Sequence, residues 1–426
     1  MKAWKIVGPA ALITMTLAAS SAARANAYGM GRSATWAARA VARTNAGSQR
    51  ASAGVARRAG ATSATDYYNQ GLRKLKRGDY KGAVAAFTQA IVLKPDFVHA
   101  YYARGVAYED LNDYKTAIVD YTQAIKLDPN YADAYYNRGF DESSLNQYQD
   151  AIADYTQDLR LRPRHAYGYD NRGLVYFDLG EYQAALADEN RAIAVDPKDY
   201  YAYETRGRVY IALKTYRAAI ADFTREIELN PTGYFGYYDR GIAESAMALG
   251  EYRAAIADYT QAIRINPTFA PAYANRANSH DHLGEYAQGE ADATRAIHLD
   301  PTLANPYIVR SNERLHLKDY PGAITDATKA LSLKPNAADA AAAYGNRAEA
   351  RDALGERQNA LADEDQAILL NPQLANAWYH RGLIRAELGN KQGAIADLTR
   401  AMQLYSEQGD FGGYMNARTA LRKLGG

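Results

Sequence analysis

The strongest constraint on the fold of this chain is a proline that recurs every 34 residues. The regular series is Pro95, Pro129, Pro163, Pro197 and Pro231. It resumes with Pro267, Pro301, Pro335 and Pro372, after two extra residues before the first of these and three before the last. A fixed period of this length indicates a stack of equivalent units, because no single unit can bury its apolar face alone. The sequence therefore predicts a row of repeats.

Three other positions fall into register when each proline is set at position 32 of the unit. Position 4 is aromatic in ten units: Tyr67, Tyr101, Tyr135, Tyr169, Tyr203, Tyr237, Tyr273, Tyr307, Tyr344 and Trp378. Position 8 is small: Gly71, Gly105, Gly139, Gly173, Gly207, Gly241, Ala277, Ser311, Ala348 and Gly382. Position 20 is Ala in nine units, from Ala83 to Ala394, and Gly289 in the seventh. Ten copies in register make the pattern specific.

The spacing of apolar residues within a unit predicts two amphipathic helices and no strand. Ala117, Tyr121 and Ala124 are three and four residues apart, as on one helical face. Turn residues such as Gly180 divide each unit in two, and the proline stops the second helix because it cannot continue the hydrogen-bond ladder. Small residues at positions 8 and 20 should let the helices approach closely, with the ring at position 4 beside them.

This pattern resembles the tetratricopeptide-repeat (TPR) family, which has an aromatic at 4, Gly or Ala at 8, Ala at 20, an aromatic at 24, Ala at 27 and Pro at 32. The match covers about residues 64–405. The resemblance implies an all-α, right-handed superhelical solenoid, with ten helix-turn-helix repeats over 66–405. The last unit has Ser406 in place of the proline, and residues 411–424 are predicted to form a helix that caps the stack.

Two segments are predicted before the repeats. Residues 1–27 have the features of a signal peptide: Lys2 and Lys5, an apolar stretch, and Ala25 and Ala27 before a cut. Cleavage after Ala23 is a second possibility. An uncleaved anchor fits less well, because the apolar stretch is short of the roughly 20 residues that span a bilayer, and a mitochondrial presequence is a weaker alternative. Residues 28–65 hold six Arg and no acid and are expected to be a disordered linker, or an arm touching anionic lipid or cell wall.

Arginine stands at position 7 and aspartate at position 23 in the same nine repeats, which departs from the family pattern. The arginines are Arg104, Arg138, Arg172, Arg206, Arg240, Arg276, Arg310, Arg347 and Arg381. The aspartates are Asp120, Asp154, Asp188, Asp222, Asp258, Asp292, Asp326, Asp363 and Asp397. The first repeat lacks both, with Gln70 and Ala86. Because the arginine and the aspartate are present together or absent together, we expect them to pair within each repeat. The alternative is that they form two separate rows of solvated charges.

The resemblance also implies a concave surface lined by positions 2, 5, 9, 12 and 13 of the first helices. Eight rings fall there and are predicted to form an aromatic groove for a partner peptide or helix: Tyr68, Tyr102, Tyr136, Tyr167, Phe177, Tyr201, Phe235 and Tyr238. No basic clamp for a carboxylate accompanies them. The alternative is that these rings pack against neighbouring helices.

Binding of proteins, rather than catalysis, is the predicted function, in the periplasm or after secretion. The chain has no Cys, so it holds no disulfide, thiolate metal site or Cys nucleophile. The residues after 65 carry 41 basic and 48 acidic side chains, which argues against nucleic acid as partner. No cofactor or small-molecule substrate is expected. The alternatives are a metal-dependent enzyme using His280, His282 and His316, with Asp281, and a cytosolic scaffold if residues 1–27 are no signal.

Overall fold

The fold was analysed in a computed structural model, which describes residues 62–247 and 251–425. These residues form 21 α-helices and contain no strand. They fall into two compact units, one up to Leu229 and one from Asn230. The predicted signal peptide, 1–27, and most of the predicted linker, 28–65, lie outside the described residues. Within the described part of the chain, no helix is both long enough and apolar enough to cross a membrane.

The first unit holds ten helices. They are α1 (Ala64–Lys76), α2 (Tyr80–Leu93), α3 (Val98–Glu109), α4 (Tyr114–Leu127), α5 (Ala132–Ser144), α6 (Tyr148–Leu161), α7 (Ala166–Asp178), α8 (Tyr182–Val195), α9 (Tyr200–Ala212) and α10 (Tyr216–Leu229).

The second unit holds eleven helices among its described residues. They are α11 (Tyr234–Ser245), α12 (Tyr252–Ile265), α13 (Ala270–Leu283), α14 (Tyr286–Leu299), α15 (Ala304–His316), α16 (Tyr320–Ser332), α17 (Ala337–Ala353), α18 (Arg357–Leu370), α19 (Ala375–Glu387), α20 (Lys391–Glu407) and α21 (Phe411–Lys423). The last helix, α21, packs on α20 through Tyr405, Tyr414 and Ala417, at the place predicted for a capping helix.

Successive helices pack in antiparallel pairs, one pair for each predicted repeat. Within each unit, the second helix of a pair packs on the first helix of the next pair. First helices of neighbouring repeats also touch one another, whereas second helices make at most marginal contact. Within each unit the first helices therefore lie on the inner side of the stack. The all-α solenoid that the repeats predict is confirmed.

The core of each repeat forms where position 8 meets position 24, and this corrects one expectation. A side chain at Gly71 would lie 2.4 Å from the ring of Phe87, and one at Gly105 would lie 2.6 Å from the ring of Tyr121. The ring that needs the small residue is thus at position 24 and not at position 4. Except for the buried Tyr307, the position 4 rings are half-buried. They lie beside the proline turn that precedes their repeat; Trp378, for example, donates Nε1–H to the carbonyl of Pro372.

Helix boundaries follow local capping chemistry. The first helix, α1, begins at Ala64, two residues before the predicted start of the repeats, because Ser63 and Asp66 form a reciprocal capping box. The three extra residues before the ninth repeat add a turn to the start of α17, which is capped by Asn336. The two extra residues of the sixth repeat fall between Arg240 and Asp258, in the connection from α11 to α12.

Candidate partner-binding surface

The first-helix face is the surface that positions 2, 5, 9, 12 and 13 of the first helices form within each unit. Of the eight predicted groove residues, six lie in the unit up to Leu229, on α1, α3, α5, α7 and α9, and two, Phe235 and Tyr238, lie on α11 in the second unit.

Four of the eight predicted groove rings are buried in the core, which corrects the prediction for them. Tyr68, Tyr102, Tyr136 and Tyr238 are 8, 3, 6 and 1% exposed. Each packs on the position 24 ring of its own repeat, with centroids 5.7 to 5.9 Å apart. These rings hold the repeats together, as the alternative interpretation had it, and are too deeply buried to anchor a partner.

Hydrogen bonds between repeats explain why three of these core rings are tyrosines. The amide of Asn137 donates to the hydroxyl of Tyr102, at 3.3 Å. Asn171 donates likewise to Tyr136 at 2.8 Å, and Asn275 to Tyr238 at 3.2 Å. A buried hydroxyl needs such a partner. An asparagine at position 6 of the following repeat therefore accompanies three of the four buried rings, and Ala103 stands there after Tyr68.

The other four predicted rings are half-buried, and three of them lie on the neighbouring helices α7 and α9. Tyr167 and Phe177 are at the two ends of α7, and Tyr201 is near the start of α9, where its ring lies 4.1 Å from that of Tyr200. In the second unit, Phe235 packs against Phe269 with centroids 5.7 Å apart. These four retain the accessible surface that a binding residue needs.

Sequence reasoning missed Arg208, which lies at position 9 of the fifth repeat on α9. Its side chain is buried, and its guanidinium lies 4.6 Å from the centroid of the Phe177 ring on α7. A cation over an aromatic face is attracted by the quadrupole of the ring. This contact fixes Phe177 against the neighbouring repeat.

Sequence reasoning also missed a set of buried carboxylates in the last turns of first helices. In the first unit they include Glu109, Asp141 and Glu142, and in the second unit Asp281 and Glu313. Burial raises the pKa of Glu109 to about 7, that of Asp281 to about 7 and that of Glu313 to about 10. Negative charge at a helix C-terminus also opposes the helix dipole. Local stability therefore does not explain these residues.

Comparison with known proteins settles the family. Profiles described as "TPR repeat" and "Tetratricopeptide repeat" match residues 71–112, 109–140, 141–200, 171–234, 243–284 and 375–408, which together exceed half of the chain. The chain is a tetratricopeptide-repeat protein. A search of curated proteins found no match.

Solved TPR structures resemble this one to different extents. The Cut9 and Hcn1 complex matches with a TM-score of 0.52 and 17% identity, over 85% of this chain and 84% of that one, and shows the fold. MamA is 27% identical over 40% of this chain and 92% of its own, with a TM-score of 0.38. YrrB, described as a TPR protein with an unusual peptide-binding site, is 22% identical over 47% of this chain and 97% of its own, with a TM-score of 0.38.

Within this TPR stack, each position 7 arginine pairs with the position 23 aspartate of its own repeat. In all nine pairs Nε and Nη2 donate to the two carboxylate oxygens, at 2.6 to 2.9 Å. The predicted pairing is confirmed. Nη1 donates to position 25 of the preceding repeat, and the acceptors include Thr88, Thr122, Thr156, Asn190, Thr260, Thr294, Thr328 and Asp365. We call this set the arginine ladder.

The three histidines of the enzymatic alternative are engaged separately. Nδ1 of His280 lies 2.7 Å from Oε2 of Glu285. His282 stacks on Tyr252, with ring centroids 4.4 Å apart, and His316 stacks on Tyr286 at 3.8 Å. In the part of the chain that the structure describes, no group of three His, Asp or Glu side chains is placed to hold a metal ion.

Proposed function

We propose that this TPR protein is a non-enzymatic scaffold that binds a partner peptide or helix on the first-helix face of the unit up to Leu229. The observation that carries the proposal is the half-buried pair Tyr167 and Tyr201, at position 2 of neighbouring repeats. Rings with part of their surface accessible can anchor a partner, whereas the buried tyrosines at position 5 cannot. The first helices α7 and α9 that carry this pair touch each other, so one partner segment can contact both rings.

The chemistry of the partner follows from the same face. Apolar side chains of the partner would pack on the two rings. The face lacks a basic clamp, so binding should not require a free C-terminal carboxylate on the partner. We expect only weak dependence on salt for the ring contacts, because apolar burial is little screened.

The test replaces both rings. Affinity capture from a periplasmic extract, followed by mass spectrometry, would supply the partner. Tyr167→Ala with Tyr201→Ala should then weaken binding by about 2–4 kcal/mol, while circular dichroism shows unchanged helix content. Tyr148→Ala with Tyr216→Ala is the matched control, since these half-buried rings begin second helices. Undiminished binding by the first variant, or cross-links confined to second helices, would overturn the proposal.

The proposed location is the periplasm or the outside of the cell, and it rests on the signal-like residues 1–27. Cleavage is expected after Ala27, with Ala23 as the alternative. The intact mass of the protein purified from its own host measures the cut directly. A full-length protein in the cytosol would reject this location and leave the binding proposal to be judged by the ring variants.

A further inference from the structure

A cavity of about 450 Å³ lies at the C-terminal end of the second unit, between α17, α18, α19 and α21. Three carboxylates line it, Glu349, Asp352 and Glu364, together with Tyr379, His380 and Asn416. The volume is within the range of sites that hold small ligands or single side chains. The cavity is separate from the rings of the proposed function.

Glu364 is the residue that sets this cavity apart. It occupies position 24, where five other repeats place a Phe or Tyr in the core. It is 0% exposed, and neither of its carboxylate oxygens has a hydrogen-bond partner. The nearest basic nitrogen is Nδ1 of His380, 3.7 Å from Oε1 of Glu364. A buried carboxylate without hydrogen bonds is costly, so its presence calls for a ligand that supplies them.

The other two carboxylates of the cavity also have oxygens that could accept further hydrogen bonds. Oε2 of Glu349 and Oδ1 of Asp352 are buried and accept no hydrogen bond. The nearest basic groups are 4.0 Å from Glu349, at His380, and 3.9 Å from Asp352, at Arg357. Arg381 is engaged by Asp397 and Asp365 instead. The cavity therefore carries an excess of negative charge.

We propose that this cavity binds the guanidinium group of an arginine side chain from a partner protein. Guanidinium is planar and presents five donors, which suits acceptors spread over several carboxylates. The ring of Tyr379 offers a face on which the group can stack. The arginine ladder combines the same elements, because each of its guanidinium groups pairs with a carboxylate and lies 4.7 to 6.0 Å from a position 4 ring.

Binding should release a proton. Burial, and next the charges of Glu349 and Asp363, hold the pKa of Glu364 well above its usual range, so the empty site keeps a proton there at neutral pH. The charged groups that face Glu364 are Glu349 and Asp352 on α17, Asp363 on α18, and His380 and Arg381 on α19. An arriving guanidinium lowers the pKa of Glu364 and displaces the proton. Affinity should therefore rise with pH.

The experiment titrates the full chain with the peptide acetyl-Ala-Arg-Ala-amide by calorimetry, in two buffers of different ionisation enthalpy. We expect saturable binding with proton release, at least tenfold weaker binding of the lysine analogue, and none of acetyl-Ala-Ala-Ala-amide. Glu364→Gln should lose binding at least tenfold without lowering Tm, since the amide keeps the shape of a carboxyl that is protonated in the empty site. Glu407→Gln, the same substitution at an exposed position on α20, is the matched control.

Several outcomes would overturn the proposal. They are equal binding by the parent and Glu364→Gln, no binding of the arginine peptide, and equal affinity for the lysine peptide. Free argininamide that binds as tightly as the peptide would identify a small-molecule site and exclude the protein partner. A fall in Tm for Glu364→Gln would assign this residue a structural role. The rings Tyr167 and Tyr201 are unchanged in these variants, so failure here leaves the proposed function standing.

Discussion

At the residue scale, the arginine ladder shows why position 7 departs from the family pattern. Each arginine joins two elements of its own repeat, the aspartate on the second helix and the ring at position 4. Its remaining nitrogen reaches the preceding repeat, as Arg206 reaches Asn190 at 2.7 Å. The ladder therefore contributes both to the fold of a repeat and to the contact between repeats.

The first prediction measures one step of the ladder, Arg206 with Asp222. Arg206→Ala leaves the buried carboxylate of Asp222 without its bidentate partner, so the free energy of unfolding should fall by about 1–3 kcal/mol. Adding Asp222→Ala should cost less than the sum of the two single changes, because contacting partners couple. Arg225→Ala, which breaks an exposed pair with Glu228, is the control and should cost about 0–1 kcal/mol. Additive effects of Arg206 and Asp222 would contradict the coupling.

The pairs of the arginine ladder were predicted correctly from the sequence. Four rings that were predicted to line an accessible groove are instead buried in the core. Arg and Asp recur at fixed positions with identical chemistry, so their joint presence is visible without coordinates. Position 5, which lines the groove in the family, is occupied by Tyr68, Tyr102, Tyr136 and Tyr238. How much of each ring is exposed depends on the rotation of its helix about the helix axis. Only the structure gives that rotation. Tyr136→Ala is consequently expected to destabilise the protein rather than to remove a binding anchor.

At the element scale, position 15 decides how the two helices of a repeat are joined. The residues there have positive φ: Gly78, Asn112, Asn146, Gly180, Lys214, Gly284, Lys318, Gly355 and Gly389. Glycine and asparagine tolerate this left-handed conformation, whereas a lysine is strained in it. The turns at Lys214 and Lys318 are therefore less favourable than the turns that glycine makes.

The second prediction relieves that strain. Lys214 is exposed, with φ of 58°, so Lys214→Gly should stabilise the protein by about 0.5–1 kcal/mol. Gly180→Ala imposes the strain on the preceding repeat and should destabilise by about 1 kcal/mol. Chemical denaturation of the two variants beside the parent measures both changes. A loss of stability on Lys214→Gly would show that the side chain of Lys214 matters more than its backbone.

Element boundaries were predictable where a residue type enforces them. The proline at position 32 ends the second helices, and the turn residues separate the pairs, so both were visible in the sequence. Whether the inserted residues lengthen a loop or a helix could not be predicted from the sequence. Three extra residues before the ninth repeat could lengthen a loop or a helix, and Asn336 decides this by capping α17 one turn earlier.

At the scale of the whole molecule, the repeats contain more acidic than basic residues, and some of these acidic side chains are buried in the fold. The sequence showed the excess of acid after residue 65 but not its depth, because a glutamate in a helix pattern is ordinarily solvated. In the structure, Glu109, Asp281 and Glu313 are buried and their pKa values are raised by that burial. Both units contain such groups, so stability should respond to pH in each of them.

The sign of the response follows from proton uptake. A carboxyl whose pKa is higher in the folded state binds protons that the unfolded chain, with values near 4, has released. Its contribution makes the folded state less stable as pH rises from about 4 toward the raised pKa. Desolvation lowers the pKa of His99 and His316 below 6.5. These two groups make the folded state more stable as pH rises toward 6.5, which is the opposite of the carboxyl effect. The range above pH 6.5 therefore isolates the carboxyl groups.

The last prediction is that Tm falls between pH 6.5 and pH 8.5, because burial raises the pKa of Glu109 and Asp281 to about 7 and the pKa of Glu313 to about 10. Glu109→Gln, Asp281→Asn and Glu313→Gln, made together, should reduce this dependence, since the amides keep the shape and carry no titrating proton. The control combines Asp150→Asn, Glu181→Gln and Glu407→Gln, three exposed carboxylates whose loss should leave the slope unchanged. Thermal melts followed by circular dichroism give the comparison. A parent whose Tm is constant or rises over this range would show that the buried carboxyl groups do not carry the protons assigned to them.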